Sequence, residues 1–435
     1  MQNVFGLRDQ VLGDYRFYVE SFIRIRDERI KAEVGGSLEM GVLWPDSLIQ
    51  LNPSFAPGGS IDELVEAQVL HTECARIFRR DKEAVVGSHG KLLRLHRHQF
   101  DAIKTARAGN SFLLTTGTGS GKSLAYIIPI VDYVLRHGSG KGIKAIVVYP
   151  MNALANSQVG ELRKFLCHGY PDGKPPVTFA IYTGQESAEQ RQEIIASPPD
   201  ILLTNYVMLE LLLTRIHEKD LIGKAHNLRF LVLDELHTYR GRQGADVSLL
   251  VRRVQNQLEA HDLQCIGTSA TIAGSGTIQE QQTEVAAVAS QLFGRPVRPE
   301  DVISETLQRA TPDADFSSPS TLAAMRDRIS GDEANGFDSI DAFLAHPLSS
   351  WIEDTFGLTR DASGRLLRAQ PISISGGDGA AQRLGELTGV PAEQCGSAIQ
   401  AHLLAGYRLP AGQMPAQRPF AFKLHQFISR GEGVY

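Results

Sequence analysis

Gly117, Gly119 and Gly121 alternate through the run FLLTTGTGSGKS at residues 112–123, which Lys122 and Ser123 close. Glycines without side chains let the backbone fold around a phosphate group, with its N–H groups pointing inward. A helix opening at the lysine adds partial positive charge at the same place. In the pattern G-x-x-x-x-G-K-[ST], the lysine reaches the β- and γ-phosphates and the hydroxyl binds Mg²⁺. Here Thr116 holds the first place, with Gly117, Thr118, Gly119 and Ser120 forming the turn before Gly121. A glycine-rich turn alone is commonplace; the Gly-Lys-Ser ending after an apolar strand is what gives this one chemical meaning.

A second chemical run is Leu231-Val232-Leu233-Asp234-Glu235-Leu236-His237. A carboxylate at the end of an apolar strand is costly to bury unless it binds a cation. Asp234 is placed to hold a Mg²⁺–water shell beside Ser123, and Glu235 to orient and deprotonate an attacking water. That is phosphoryl transfer by positioning and charge neutralisation. Further on, Ser269-Ala270-Thr271 offers small hydroxyls that could link the acidic pair to a neighbouring lobe. Gln99 precedes Lys122 by 23 residues. Its amide offers a donor and an acceptor, which suits the edge of adenine.

Strands and helices must bring these residues together. Phe112–Leu114, Ala145–Tyr149, Phe179–Tyr182, Ile201–Thr204, Leu231–Asp234 and Gln264–Thr268 are apolar runs of strand length. Leu124–Arg136 and Met151–Phe165 read as helices between them. Such alternation predicts a parallel sheet covered by helices on both faces, over residues 91–297. Residues 1–90 read as an accessory segment. Asp14–Val34 and Ile61–Lys82 have helical spacing, and residues 44–60 read as loop. Residues 298–435 read as a mainly helical connector. Residues 311–320 and 410–419 are linker-like, Asp341–Phe356 is helical, and Ala380–Leu409 has helix-turn-helix spacing with Gly389 and Pro391 at the turn.

The chain has 435 residues, 42% hydrophobic and 21% charged, with a net charge of −5. That is ordinary soluble composition with room for two or three domains. It argues against nonspecific coating of nucleic acid, though not against a local basic groove. Cys74, Cys167, Cys265 and Cys395 lie far apart, so neither a disulfide framework nor a zinc site is expected, and a reducing cytoplasm fits. His71 and His89 stand apart from each other and from any cysteine. No long uncharged apolar stretch exists, since Pro129 and Asp132 break the run after the glycine loop.

Taken in order, Gln99, TGTGSGKS (116–123), YPMNALA (149–155), YTG (182–184), DILLTNY (200–206), DELH (234–237) and SAT (269–271) resemble the motifs of superfamily 2 DExH-box helicases. That superfamily commonly has a non-glycine at the place of Thr116. YPMNALANSQ and the tail FKLHQFISRGEGVY look most like large bacterial DEAD/DEAH-box helicases with a C-terminal cysteine-rich domain of unknown function. Some of those sit among anti-phage defence systems. The resemblance implies a RecA-like P-loop NTPase domain at 91–297, with mainly helical N- and C-terminal segments. It implies that Lys122, Ser123, Asp234 and Glu235 bind and hydrolyse ATP with Mg²⁺, and that Gln99 selects adenine. His237, Ser269 and Thr271 would couple hydrolysis to movement. Tyr149, Pro150, Met151, Asn152, Gly184, Thr204, Asn205 and Tyr206 would touch the nucleic-acid backbone. Such contacts position a strand without reading its sequence.

The same resemblance implies a second lobe with an arginine finger in a Q-x-x-G-R-x-G-R pattern. None follows Thr271, and Arg240-Gly241-Arg242-Gln243-Gly244 lies directly behind DELH, in the first lobe. The expectation is therefore the front part of an ATP-dependent helicase or translocase, acting on nucleic acid, with DNA the expected polymer. A second lobe or a partner subunit would supply the finger. The alternative is a noncatalytic, ATP-gated nucleic-acid- or protein-binding subunit of a larger defence complex. Asp234 and Glu235 weigh against it, because a pure binder needs no water-activating carboxylate. A small-molecule kinase is the third reading, with nothing resembling an acceptor site.

Overall fold

The six apolar runs become strands and a seventh joins them: β1 (Phe112–Thr115), β2 (Ala145–Tyr149), β3 (Phe179–Tyr182), β4 (Ile201–Asn205), β5 (Phe230–Leu233), β6 (Gln264–Ser269) and β7 (Val302–Ser304). They pair in the order β7-β1-β6-β5-β2-β4-β3, and every pairing is parallel. Successive side chains of a strand point to opposite faces. Accordingly Phe112 and Leu114 join one buried core while Leu113 joins the other. Helices α1 (Arg97–Arg107), α2 (Lys122–His137) and α3 (Asn152–Leu166) contribute to the first core. Helices α4 (Tyr206–Thr214), α5 (Arg242–Gln257) and α6 (Ile278–Phe293) contribute to the second. Burying a Val, Leu or Ile side chain is worth roughly 1.5–3 kcal/mol, so a sheet apolar on both faces must be covered twice.

This computed structural model describes residues 3–22, 25–39, 44–117, 119–239, 241–270, 277–331, 336–361, 363–409 and 420–428. Two compact units divide the chain: Phe55–Thr306, and Met1–Ser54 together with Leu307–Tyr435. These differ from the expected divisions at 90 and 297, for two physical reasons. The segment before Gln99 belongs to the sheet unit, because Pro57–Ser60 pairs with Arg94–His96 and Ile61, Leu64, Cys74 and Ile77 enter its core. The unit also extends past 297, because β7 adds a strand beside β1.

Other local expectations shift as well. Ile61–Lys82 is not one helix: Ile61–Glu66 and Cys74–Ile77 are short helices, and Gln68 between them takes a positive φ of 57°. Residues 44–60 are not plain loop but hold strands Leu48–Leu51 and Pro57–Ser60. The segment Asp14–Val34 is divided between helices Val4–Phe22 and Glu28–Glu39. Asp341–Phe356 is two helices, Ile340–Ala345 and Pro347–Phe356, the second opening on a proline whose fixed φ suits a first helical position.

The other unit has its own core, in which Ile49, Phe343, Trp351, Ile352, Leu384, Ile399 and Leu403 are buried. Helices α7 (Ala380–Thr388) and α8 (Ala392–Arg408) meet at Gly389, whose φ of 74° closes α7 in the left-handed region. Linker-like residues 410–419 lie outside the described residues, as do Thr118, Arg240 and Thr271.

Candidate nucleotide and nucleic-acid site

Because all seven strands run the same way, the loops after them gather along one sheet edge, where open α/β sheets bind ligands. Strand order divides that edge. Neighbours β7, β1, β6 and β5 bring Glu305, the glycine loop, Ser269 and the Asp234–Glu235 pair into one row. Neighbours β2, β4 and β3 bring Tyr149–Asn152, Asn205–Tyr206 and Thr183–Gly184 into the next.

The glycine loop is tied down on several sides. The Thr116 N–H donates to the Ser269 carbonyl at 3.2 Å. The Thr116 hydroxyl lies 2.7 Å from the Ser120 hydroxyl, both side chains being buried. A glycine at 116 would lose that closure of the loop. Gly121 has a φ of 71°, and a Cβ there would stand 2.5 Å from the Gln99 amide nitrogen. From behind, His98 Nε2 meets the Ser120 carbonyl and Gln99 Nε2 donates to the Gly121 carbonyl, each at 2.9 Å. Gln99 Oε1 accepts the His96 N–H at 2.9 Å, completing a capping box at the start of α1. Both ends of the Gln99 amide are thus engaged with protein, and the side chain is 2% exposed. Gln99 thus also braces the phosphate loop, through one of its two amide hydrogens.

Lys122 and the acidic pair meet. Lys122 Nζ lies 2.9 Å from Glu235 Oε1, joining the start of α2 to the end of β5. Asp234 Oδ1 accepts the Thr268 hydroxyl at 2.6 Å, and the same hydroxyl accepts the Glu235 N–H at 3.0 Å. Burial pushes the Asp234 carboxyl above its usual range, the Thr268 hydrogen bond and the Lys122 charge opposing that shift. Burial, together with the nearby Tyr149 and Asp234, pushes the Tyr126 hydroxyl well above its ordinary pKa, and its hydrogen bond to Ser123 opposes the shift. One hydroxyl and one carboxylate are a donor set suited to Mg²⁺, which takes one or two carboxylate ligands and fills the rest from phosphate and water. Glu235 adopts φ 52° and ψ 53°, left-handed backbone that costs of order 1–3 kcal/mol for a non-glycine residue.

His237 Nδ1 stands 3.2 Å from Glu235 Oε2 and 3.5 Å from the Ala270 N–H. The Ala270 N–H donates to Nδ1, so that nitrogen is the acceptor. His237 therefore sits between the acidic pair and the Ser269–Ala270 segment.

In the second row, Asn205 is the tie. Its Nδ2 donates to Asn152 Oδ1 at 2.7 Å and to the Thr183 carbonyl at 3.1 Å, and its Oδ1 caps α4 through the Met208 N–H at 2.7 Å. Glu186 shapes the neighbouring turn, accepting the N–H groups of Thr183 and Gly184. The expectation that every residue here touches a strand is corrected for two side chains. Tyr149 is buried with its hydroxyl 3.3 Å from that of Tyr126. Thr204 is buried with its hydroxyl donated to the Tyr182 carbonyl. Both sit where the strand still pairs, so their polar atoms serve the sheet. Met151 and Gly184 are exposed, and Pro150, Asn152 and Tyr206 half-buried.

His98, Thr268, Glu186 and Glu305 were not singled out from the sequence. Glu305 Oε2 accepts the Gly117 N–H at 3.0 Å. Thr268 adjoins Ser269 and His98 adjoins Gln99, the only sequence signal either carries.

Residues 96–279 match the family model described as DEAD/DEAH box helicase. The uncharacterized ATP-dependent helicase YprA of Bacillus subtilis (strain 168) is 32% identical over 191 residues, covering 43% of this chain and 24% of its own length. The Druantia protein DruE of Escherichia coli (strain UMEA 4076-1) is 24% identical over 391 residues, covering 63% of this chain and 21% of its own length. Among solved structures, the DUF1998 helicase MrfA bound to DNA shares 25% identity at a TM-score of 0.45, covering 60% of this chain and 30% of that one. The chain spans about a quarter of the length of the curated relatives it matches.

Proposed function

We propose, from the match of residues 96–279 to the DEAD/DEAH box helicase family model, that the chain is the first lobe of an ATP-driven nucleic-acid helicase or translocase. The observation that carries the reading is the 2.9 Å contact between Lys122 and Glu235. It sets a phosphate-seeking cation and a water-activating base on either side of one loop. In this reading ATP draws Lys122 from Glu235 to its β- and γ-phosphates. Glu235, released from the lysine, holds a water and takes its proton as the water oxygen bonds to the γ-phosphorus and the bond to the bridging oxygen breaks. Ser123 and Asp234 hold Mg²⁺, which neutralises charge on the phosphate oxygens when bound. Gln99 keeps one amide hydrogen for adenine while the other grips Gly121. His237 passes the state of Glu235 to the segment after β6.

The polymer lies across the loops after β2, β4 and β3, and DNA is the proposed polymer. An arginine finger from a second lobe or partner completes the site; such a group is worth about 10³–10⁵ in rate. The test is ATP binding and hydrolysis by this chain, with and without single-stranded DNA or RNA. Binding with slow turnover is expected, with DNA the stronger ligand. Lys122→Ala should abolish binding. Unchanged binding in that variant refutes the site, and fast DNA-stimulated turnover by this chain alone refutes the need for a finger.

A further inference from the structure

Two neighbouring side chains at the start of α1 hold two neighbouring carbonyls of the glycine loop: His98 at Ser120 and Gln99 at Gly121. A carbonyl oxygen has no hydrogen to give, so His98 must donate, and its Nε2 carries the proton. Across a planar trans peptide, C=O and N–H point in opposite directions. Pulling the Ser120 and Gly121 carbonyls back toward α1 therefore turns the Gly121 and Lys122 N–H groups forward, to the side where phosphate must lie. In a glycine-rich loop this matters more than elsewhere. Gly119 and Gly121 both have positive φ, and glycine backbone has many other states to visit.

The imidazole is itself fixed. His98 is wholly buried. Its ring lies 5.5 Å from that of His96, stacked at 24°, and 5.3 Å from that of Phe55, edge-on at 67°. Burial and the neighbouring His98 lower the His96 pKa to about 4, so at neutral pH His96 is an uncharged stacking partner. The Ser120 hydroxyl is held separately, by Thr116. Ser120 is thus gripped by its side chain from one direction and by its carbonyl from another.

We infer that His98 is a positioning residue for the triphosphate: its Nε2–H aims the Gly121 N–H into the phosphate cradle before nucleotide arrives. This rests on the ATP-site reading above. Affinity is the right readout, because a preset amide needs no ordering on binding.

Titrate the full chain with Mg²⁺–ATP and Mg²⁺–ADP, comparing the native protein with His98→Gln and His98→Met. Glutamine and methionine have similar reach, and only glutamine carries a donor where the Nε2–H stands. A neutral hydrogen bond is worth about 0.5–1.5 kcal/mol, or roughly two- to tenfold in Kd. His98→Met should weaken both nucleotides by about that factor, and His98→Gln should remain within about twofold of native. A partly folded sample loses amplitude while its midpoint stays put, so thermal melting beside each titration separates lost fold from lost aim. Native affinity in His98→Met, or His98→Gln as weak as His98→Met, overturns the inference. A native chain that binds neither nucleotide refutes the ATP-site reading itself.

Discussion

Glu305 places a carboxylate on the Gly117 N–H, inside a loop whose backbone is built for anions. A triphosphate arriving there meets a negative charge already using one of its donors. Like charges at such range repel, although water screens part of the effect. Removing the charge while keeping the shape should therefore tighten ATP binding. We expect Glu305→Gln to lower the Kd by roughly three- to tenfold, about 0.7–1.4 kcal/mol, less than a full charge-assisted contact of about 1.5–3 kcal/mol because water screens it. Titration with Mg²⁺–ATP at two salt concentrations checks this, and the gain should shrink at the higher one. Weaker binding by Glu305→Gln would mean that the carboxylate shapes the loop for nucleotide instead of competing with it. At this scale the sequence was informative wherever a residue type has one chemical use. Lys122, Ser123, Asp234 and Glu235 could be picked out because Gly-Lys-Ser and a strand-end acidic pair are rarely idle. Glu305, Thr268 and His98 could not. Each is a common residue whose partner lies far away in the chain, at Gly117, Asp234 and Ser120.

Elements decide which loops become neighbours. The apolar runs foretold six strands, and their alternation with helices foretold a sheet covered on both faces. β7 was hidden, because three residues of Val-Ile-Ser after a polar Pro-Glu-Asp turn carry little pattern. Its role emerges only from pairing with β1, which sets Glu305 beside the glycine loop. Strand order was equally hidden, and it is what separates the two rows of loops. Within the second row, Asn205 converts three separate loops into one surface. Serine is also a good N-cap, so Asn205→Ser should keep α4 while losing the reach to Asn152 and Thr183. Binding of fluorescent single-stranded DNA, read by anisotropy, should weaken by about three- to thirtyfold for two lost hydrogen bonds. ATP affinity, which belongs to the other row, should hold. A variant that binds the strand normally would remove these loops from the nucleic-acid surface.

At the scale of the molecule, each unit carries its own buried core. Each unit should therefore unfold as a cooperative event of its own, giving two heat-absorption transitions in calorimetry. Ligand identifies which is which. On the proposed site, Mg²⁺–ATP should bind only the unit holding Lys122 and Asp234, and at a hundred times Kd it would stabilise that unit by about 2.7 kcal/mol. One transition should rise with nucleotide and fall back on adding a chelator; the other should ignore both. Acid identifies the second. His402 is buried, its Nε2 2.7 Å from the Ser349 hydroxyl, and burial with the nearby His346 and Arg328 holds its pKa well below the ordinary value. The unfolded chain binds that proton near pH ~6.5, while the folded unit refuses it until much lower. Stability from His402 is thus complete above ~6.5 and drains away as pH falls. The nucleotide-insensitive transition should therefore move down steadily between about pH 6.5 and 5, and His402→Gln should flatten that slope. The sheet unit also holds a depressed histidine, His96, at about 4, so acid alone lowers both transitions, and the nucleotide response is needed to tell them apart. A single transition that shifts as a whole with ATP would show instead that the two units unfold as one.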